Sequence, residues 1–321
     1  MRINILTEDK YDEYNVLSTE YGSVFNDLNW LKIFDKKVKI YSIDNNEGRI
    51  VGGFFMYTEN IAGIKYVKCP PFTPSNGLFI ADNSSNKAKV SGDQKNLISE
   101  IADFYDRNGF GVIRISFPSI FTDFQPFIWR KYKVVPNYTY VHNLNKPVNE
   151  LFSSFSAERR NRIKKVEKDN IKITQETDYL IIGSLIKDTF KRNRIKYNNQ
   201  ILSKILLEFS NSENSFAYVA KDEKGILAYS FCVHDKRTAY YLFGGTSDEN
   251  MHTGVGSATL WECIKKAKML GLPGFDFEGS MNPQIERYFR GFGGCLTPYY
   301  TINKANIFLE FVLTFFKREY F

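Results

Sequence analysis

The chain has 321 residues, with 43 Lys and Arg side chains against 36 Asp and Glu and an aromatic content of 16%. This length predicts about two domains. The aromatic content excludes a disordered chain, because Phe and Tyr at this density can form a packed core. The net charge of +7 is modest and favours anionic partners without indicating nucleic-acid binding.

The sequence carries no pattern typical of secretion, membrane insertion or a metal centre. The N-terminus lacks an apolar run of signal-peptide length, and no segment approaches the ~20 apolar residues that span a bilayer. The four cysteines form no Cys-x-x-Cys pair and the three histidines are isolated: Cys69, Cys232, Cys263, Cys295, His142, His234 and His252. We therefore expect a soluble, cytoplasmic protein with no metal site.

Two stretches are typical of β-hairpins, because each places acidic or amide residues and a Gly between two β-rich runs. They cover residues 38–57, with a turn at 44–48, and residues 216–233, with a turn at 221–225.

Each hairpin is followed by a helix pattern, a Gly and a strand pattern. Apolar residues recur at helical spacing over 97–105 and over 260–270, and Gly109 and Gly271 then indicate helix ends. Strands are predicted at 111–117 and 275–278. The repeated order predicts a duplicated α/β (α+β) fold, with one domain over 1–145 and a second over 146–321.

A glycine-containing loop precedes the second of these helices. Backbone N–H groups at a helix start are unpaired and lie at the positive end of the helix dipole, so two glycines there let a diphosphate approach closely. A plain tight connection would explain the same glycines. The candidate ligand-binding residues are Thr253, Gly254, Val255, Gly256 and Ser257.

Two carboxylates lie in the strand pattern that follows. Asp276 and Glu278 alternate with phenylalanines, which predicts that both carboxylates share one strand face. Glu278, at the end of the strand, would point into a ligand crevice and could take a proton from an amine. Tyr241, on the neighbouring strand, could protonate a leaving thiolate. A solvated strand face or a structural ion pair is the alternative.

A basic helix pattern covers residues 156–168, and a second basic cluster lies at 191–194. Guanidinium groups bind phosphates through paired hydrogen bonds, so this region is a candidate site for an anionic substrate. A solvated cationic face is the alternative, and an RNA site would lack a regular pattern of stacking aromatics. The candidate residues are Arg159, Arg162 and Arg192.

The last segment, 307–316, is strongly apolar and is followed by Lys317 and Arg318. It is too short to span a bilayer. It is either a helix docked on the core or an interfacial segment in weak contact with a membrane surface.

Several of these segments resemble the Fem-type tandem GNAT-fold (FemAB-like) transferases. The resemblance rests on the proline-rich segment 69–78, the basic Ser-x-x-x-Arg-x-Arg-Ile-Lys-Lys pattern and the runs 275–279 and 287–294. This group includes FemA, FemB and FemX, which move an amino acid from aminoacyl-tRNA to a peptidoglycan precursor. It also includes GNAT-like N-acyltransferases that are linked to envelope biosynthesis and expected to use acyl-CoA.

Two positions depart from the family patterns. Met251 occupies the Arg/Gln position of the GNAT diphosphate loop, and Phe289 replaces the lysine implicated in Fem-type transfer. The second change weakens the aminoacyl-tRNA interpretation more than the acyl-CoA one.

The resemblance implies two tandem GNAT-like domains, each a mixed, largely antiparallel sheet flanked by helices. It also implies an N-acyltransferase that moves an acyl group from acetyl-CoA or another acyl-CoA to an amine of a small, nucleotide-linked or envelope-precursor substrate such as an amino sugar. In that interpretation Glu278, or a water that it orders, takes the proton from the amine and Tyr241 protonates the leaving thiolate, with Asp276 as a further residue of the catalytic group. The alternatives are a tRNA-dependent peptidyltransferase and a non-catalytic GNAT-fold binding protein. Acceptor, acyl chain and oligomeric state depend on pocket and surface shape rather than on any motif.

Overall fold

The computed structural model describes residues 1–81, 86–247, 252–279 and 281–316. The chain divides into two compact units, the first comprising Met1–Asn137 and the chain from Pro298 onward, and the second comprising Tyr138–Thr297. No helix in the described part of the chain has the length and apolar character needed to cross a membrane.

The elements from the N-terminus to the first unit boundary are β1 (Arg2–Ile5), α1 (Tyr11–Tyr21), α2 (Leu28–Lys32), β2 (Val38–Asp44), β3 (Ile50–Ile61), β4 (Ile64–Lys68), β5 (Phe79–Ile80), α3 (Lys87–Arg107), β6 (Val112–Ser116), α4 (Gln125–Trp129) and β7 (Lys133–Asn143). The chain enters the second unit within β7.

The elements that follow are α5 (Val148–Ser153), α6 (Ala157–Lys168), β8 (Lys172–Glu176), α7 (Tyr179–Arg192), α8 (Asn199–Lys204), β9 (Ser215–Asp222), β10 (Gly225–His234), β11 (Thr238–Thr246), α9 (Val255–Met269), β12 (Gly274–Asp276), α10 (Pro283–Arg290), β13 (Cys295–Ala305) and α11 (Ile307–Phe316). The chain returns to the first unit within β13.

The first unit contains the strand order β1-β2-β3-β4-β6-β13. All neighbours are antiparallel except β4 and β6, which are parallel. The predicted hairpin over 38–57 is confirmed as β2 and β3. Helix α3 covers the sheet with Leu97, Ile98, Ile101 and Tyr105, whose helical spacing places them on one buried face.

The second unit contains the strand order β7-β12-β11-β10-β9-β8. Here β11 and β12 form the parallel pair and the other neighbours are antiparallel. The predicted hairpin over 216–233 is confirmed as β9 and β10. Helix α9 buries Leu260, Cys263, Ile264 and Ala267 in the core of this unit, and it ends before Gly271, which has a φ of +76°.

Apart from the two-residue strand β5, which lies between β4 and α3, the two units repeat one order of elements: β2-β3-β4-α3-β6 in the first and β9-β10-β11-α9-β12 in the second. Each is a mixed, largely antiparallel sheet with helices, as predicted. The compact units are divided at 137/138 and again at 297/298, whereas the sequence predicted a single junction at 145/146. The difference arises because β13 returns to pair with β6 of the first unit, a long-range pairing that local patterns do not report.

Candidate functional site

The parallel strands β11 and β12 separate in the second unit. They pair only through Thr238–Tyr240, and β12 ends at Asp276 while β11 continues to Thr246. On its other side β11 carries a β-bulge against β10 at Leu242. Bulges bend a strand and change the direction of its side chains, and they are over-represented beside active sites. Beyond Tyr240 the parallel strands therefore leave a gap, which is the centre of the candidate site.

The loop that leads into α9 is held from outside the helix. The N–H of Gly254 donates a hydrogen bond to Nδ1 of His252 at 3.1 Å, and Nε2 of His252 lies 3.0 Å from the Asp169 carboxylate. Gly254 is the N-cap residue and has no side chain that could cap the first turn of α9. Met251, the departure from the family loop, lies outside the described residues.

The two glycines of the loop have different surroundings. A Cβ atom built on Gly254 would collide with the carbonyl oxygen of Arg162, so this glycine permits close packing of α6 against α9. A Cβ on Gly256 would lie 3.5 Å from Thr246 and 3.7 Å from the Tyr288 hydroxyl, which are ordinary contacts. Gly256 is therefore the glycine that faces space rather than packed backbone.

A buried arginine lies beside this helix start. Arg159 is 6% exposed, donates from Nη1 to the Ser257 hydroxyl at 2.5 Å and donates from Nη2 to the Tyr288 carbonyl at 3.1 Å. Its guanidinium stacks on the rings of Tyr288 and Phe292 at 4.3 and 4.7 Å. Its Nε has no hydrogen-bond partner, and no carboxylate among the described residues forms an ion pair with it.

A buried cation without a counter-ion is energetically costly, because burial removes water and the neutral partners of Arg159 carry no opposing charge. Burial lowers the pKa of Arg159 for this reason. The charge adds to the positive end of α9 through Ser257. The first turn of α9 thus combines an N-cap residue without a side chain, the positive charge of Arg159 and an open glycine, an arrangement suited to an anion.

The structure does not bring the three predicted arginines together. Arg162 pairs with Glu158 at 2.5 Å on the outer side of α6. Arg192 donates to the carbonyl oxygen of Thr246 at 2.6 Å and lines a cavity of about 950 Å³ that His252 also lines. Of the three, Arg159 is the one whose side chain forms a hydrogen bond with a residue in the first turn of α9.

The two carboxylates occupy different backbone environments, which corrects the prediction that they share a strand face. Strand β12 ends at Asp276, and Glu278 lies beyond it with a φ of +59°. One oxygen of Asp276 accepts hydrogen bonds from the Thr139 hydroxyl at 2.5 Å and from the Glu278 N–H at 2.8 Å, and this turn ends the strand. A left-handed non-glycine residue costs about 1–3 kcal/mol, and such strain clusters at functional sites.

Both carboxyl groups hold protons more tightly than usual. Burial raises the pKa of Asp276 from 3.8 to about 6. Burial, and then the charge of Asp276, raise the pKa of Glu278 well above its usual value. Within the described chain the Glu278 carboxylate has no hydrogen bond or ion pair of its own, so it is available to an incoming group.

The adjacent tyrosines of β11 point to opposite faces of the sheet. Tyr241 lies on the α9 side, with its ring 5.9 Å from that of Phe289 and its hydroxyl over Gly244. Tyr240 lies on the face of Asp276, and burial, followed by the charges of Asp235 and Asp276, raises the pKa of this phenol. Burial also raises the pKa of Tyr241, so its phenol stays protonated at neutral pH.

The sequence analysis did not predict the positions of Tyr288 and Phe289 near the site. Tyr288 stacks on Arg159 and lies near Gly256, but its only signal was membership of the run 287–294. Phe289, at the position of the Fem lysine, is 6% exposed and packs against Tyr241 and Phe277 as part of the core. In the described chain, no group of His, Cys, Asp or Glu side chains is placed to hold a metal ion.

Comparison with known proteins places these residues in one domain type. Residues 157–290 match the family model described as the acetyltransferase (GNAT) domain, a range that includes Arg159, the α9 loop, both carboxylates and Tyr288. No curated protein matches the sequence.

Solved structures resemble the chain over nearly its whole length. FemX aligns with a TM-score of 0.66 and 12% identity, covering 94% of this chain and 97% of FemX. L-PGS from Bacillus licheniformis aligns with a TM-score of 0.57 and 11% identity over 97% and 96% of the two chains. The C-terminal domain of a putative lysylphosphatidylglycerol synthetase from Agrobacterium fabrum gives 0.57 and 10% over 95% and 96%. At these identities the likeness shows the fold.

Proposed function

We propose that the protein is an acyl-CoA-dependent N-acyltransferase, because residues 157–290 match the family model of the acetyltransferase (GNAT) domain and the fold is similar to that of FemX. In this proposal the transferred group is most simply acetyl, and the acceptor is an amine. The observation that carries the proposal is the buried Arg159 charge, which has no counter-ion among the described residues and lies beside the start of α9, where the N-cap residue is a glycine.

The anionic part of the acyl donor would lie at the start of α9. An acyl-CoA carries a diphosphate, which would supply the negative charge that Arg159 lacks and accept the N–H groups of residues 255–257. Thr253 and Gly254 shape the turn, and Gly256 lets the phosphate approach. This reassigns Arg159 from the acceptor to the acyl donor.

The rest of the donor would extend into the gap between β11 and β12. The pantetheine arm of coenzyme A is extended and carries amide groups, which match the backbone groups along a strand edge. The separation of the strands after Tyr240 and Asp276 provides such an edge beside the carboxylates. The thioester would then lie between the Asp276 face and the α9 face of the sheet.

The transfer step needs one base and one acid. Glu278, in its ionised form, would take a proton from the acceptor amine as the amine nitrogen attacks the thioester carbonyl. The C–N bond forms, the C–S bond breaks, and the Tyr241 phenol would protonate the leaving thiolate. Asp276 acts indirectly, since its charge raises the pKa of Glu278. Holding both reactants in the gap supplies most of the acceleration.

For the acceptor we propose a chemical class, an anionic amine. Arg162 and Arg192 are our candidates for contacts with an anionic acceptor, such as a nucleotide-linked amino sugar. Both side chains are partly accessible: Arg162 through the outer side of α6 and Arg192 through the cavity at the end of α7.

A second candidate function is Fem-type transfer from aminoacyl-tRNA. It is favoured by the lysines that α6 exposes, Lys164, Lys165 and Lys168, which suit a polyanion. The buried Phe289 disfavours it, because an aromatic core residue cannot supply a lysine's charge.

Binding calorimetry separates these candidates. We expect wild-type protein and Gly256→Ala to bind acetyl-CoA at micromolar concentration, because a Cβ fits at this position. Gly256→Glu should lose binding while keeping its melting temperature, since it places a carboxylate where the phosphate belongs. Unchanged affinity in Gly256→Glu would refute the loop assignment. Salt-sensitive binding of total tRNA without acetyl-CoA binding would favour peptidyl transfer.

A further inference from the structure

Helix α11 is apolar on both of its faces. Leu309 and Leu313 face inward and pack on a cluster formed by Val112 and Ala305 of the first unit. The outward residues are large and exposed: Ile307 at 92%, Phe308 at 76%, Phe311 at 66% and Phe315 at 72%. A helix on a protein surface ordinarily presents polar residues on its outer face. This helix presents a second apolar face instead.

The outward face is a continuous aromatic stripe. Phe308, Phe311 and Phe315 recur at helical spacing, and the rings of Phe311 and Phe315 lie 5.2 Å apart. Contiguous exposed apolar surface on a folded protein marks a place where another surface binds. Scattered single residues elsewhere, such as Ile120 at 60% exposure, do not form such a stripe.

The length of α11 and the charge of the residues after it indicate which kind of surface the aromatic stripe binds. Ten residues of helix extend about 15 Å, half of the ~30 Å hydrocarbon core of a bilayer, so α11 cannot span one. Lys317 and Arg318 follow the helix directly in a chain of net charge +7. An apolar helix face with basic residues at its end is the pattern of an interfacial helix on anionic lipid.

A second copy of the chain fits this face less well. Three phenylalanines supply roughly 450–750 Å² even if completely buried, below the ~800 Å² per partner of a standard interface. Pairing two such faces would also bring two chains of net charge +7 together. We propose that α11 docks the protein on an anionic membrane surface, with its phenylalanines among the acyl chains and its basic flank at the headgroups.

Vesicle co-sedimentation of the full chain tests this proposal independently of acyl transfer. We expect binding to phosphatidylcholine vesicles that contain phosphatidylglycerol and weaker binding to phosphatidylcholine alone. The triple variant Phe308→Ser/Phe311→Ser/Phe315→Ser should lose about tenfold in partitioning for each ring removed. The matched control Ile120→Ser, at another exposed apolar position, should bind as wild type does.

Three results would overturn the proposal. They are no binding of the wild-type chain to anionic vesicles, equal binding of the triple variant, and a concentration-dependent dimer in light scattering that the triple variant abolishes. Because the mutated rings are exposed, unfolding is not expected, and an unchanged melting temperature confirms that the comparison is valid. Lys317→Gln/Arg318→Gln should weaken binding to anionic vesicles only.

Discussion

The two units contain the same parallel strand pair, yet its surroundings differ. In the first unit β4 and β6 pair at Tyr66–Lys68, and the chain that follows β4 closes the space beyond. The Ser116 N–H donates to Cys69 Sγ at 3.4 Å, and the Asn76 N–H donates to the Ser116 carbonyl at 2.9 Å. In the second unit β11 and β12 pair at Thr238–Tyr240, and β11 continues beyond this pairing to Thr246.

The helices that follow β4 and β11, α3 and α9, differ in how their N-termini are capped. The side chain of Asn86 caps α3 by accepting the N–H groups of Ala88 and Lys89. The corresponding helix α9 has Gly254 at its N-cap and the unpaired charge of Arg159 beside it. The Asn86 side chain thus caps the helix of the first unit, whereas Gly254 has no side chain that could cap α9. Under our proposal, a ligand anion takes that place in the second unit.

The largest expected effect is at Glu278. Glu278→Gln should lower kcat by about 10²–10⁴ with little change in acetyl-CoA affinity, because it removes the base and keeps the shape. Steady-state kinetics with calorimetry separate the two quantities. Full turnover in this variant would exclude Glu278 as the base.

The next largest effect is expected at Arg159, where a substitution removes the charge that distinguishes the second unit from the first. Arg159→Met removes the unpaired charge at similar volume, so acyl-CoA affinity should fall about 10- to 100-fold while the melting temperature stays equal or rises. Arg162→Met, which loses only a surface ion pair with Glu158, is the matched control and should change neither. A strong loss of stability with unchanged affinity would instead make Arg159 a structural residue.

The raised carboxyl pKa values predict a pH dependence. The folded chain binds the Asp276 proton more tightly than the unfolded chain, so the free energy of unfolding falls as pH rises from about 4 through 6. Asp276→Asn keeps the oxygen that accepts from Thr139 and should flatten this fall. It should also move the acid limb of kcat/KM to lower pH, because the charge that raises the Glu278 pKa is gone. Coincident profiles for the two proteins would contradict this coupling.

The smallest effect concerns the first unit alone. Asn86→Ala removes the α3 cap and should lower the free energy of unfolding by about 1 kcal/mol. Acyl-CoA affinity should be unchanged, since the cap serves only the structural copy. Denaturant unfolding measures the free energy of unfolding, and calorimetry measures acyl-CoA affinity. A loss of affinity in this variant would argue against the proposal that only the second unit binds acyl-CoA.

Local sequence patterns predicted those elements whose structure depends on residues that are close together in the sequence. The hairpins, α3, α9 and the loop at 253–257 follow from alternation, helical spacing and glycine positions. The contact of Arg159 with Ser257 joins residues far apart in the chain, and the return of β13 depends on pairing with β6, so neither leaves a local signal. Glu278 was predicted within a strand because its alternation continues past Asp276, while the Asp276 side chain ends that strand by bonding the Glu278 N–H.

Hydrogen exchange with and without acetyl-CoA tests the division of roles most directly. The account predicts slower exchange in residues 241–247 and 252–258, which form the end of β11 and the start of α9. It predicts no change in residues 66–81 and 112–117 of the first unit. Protection of the first unit's strand pair, or none at the start of α9, would contradict it.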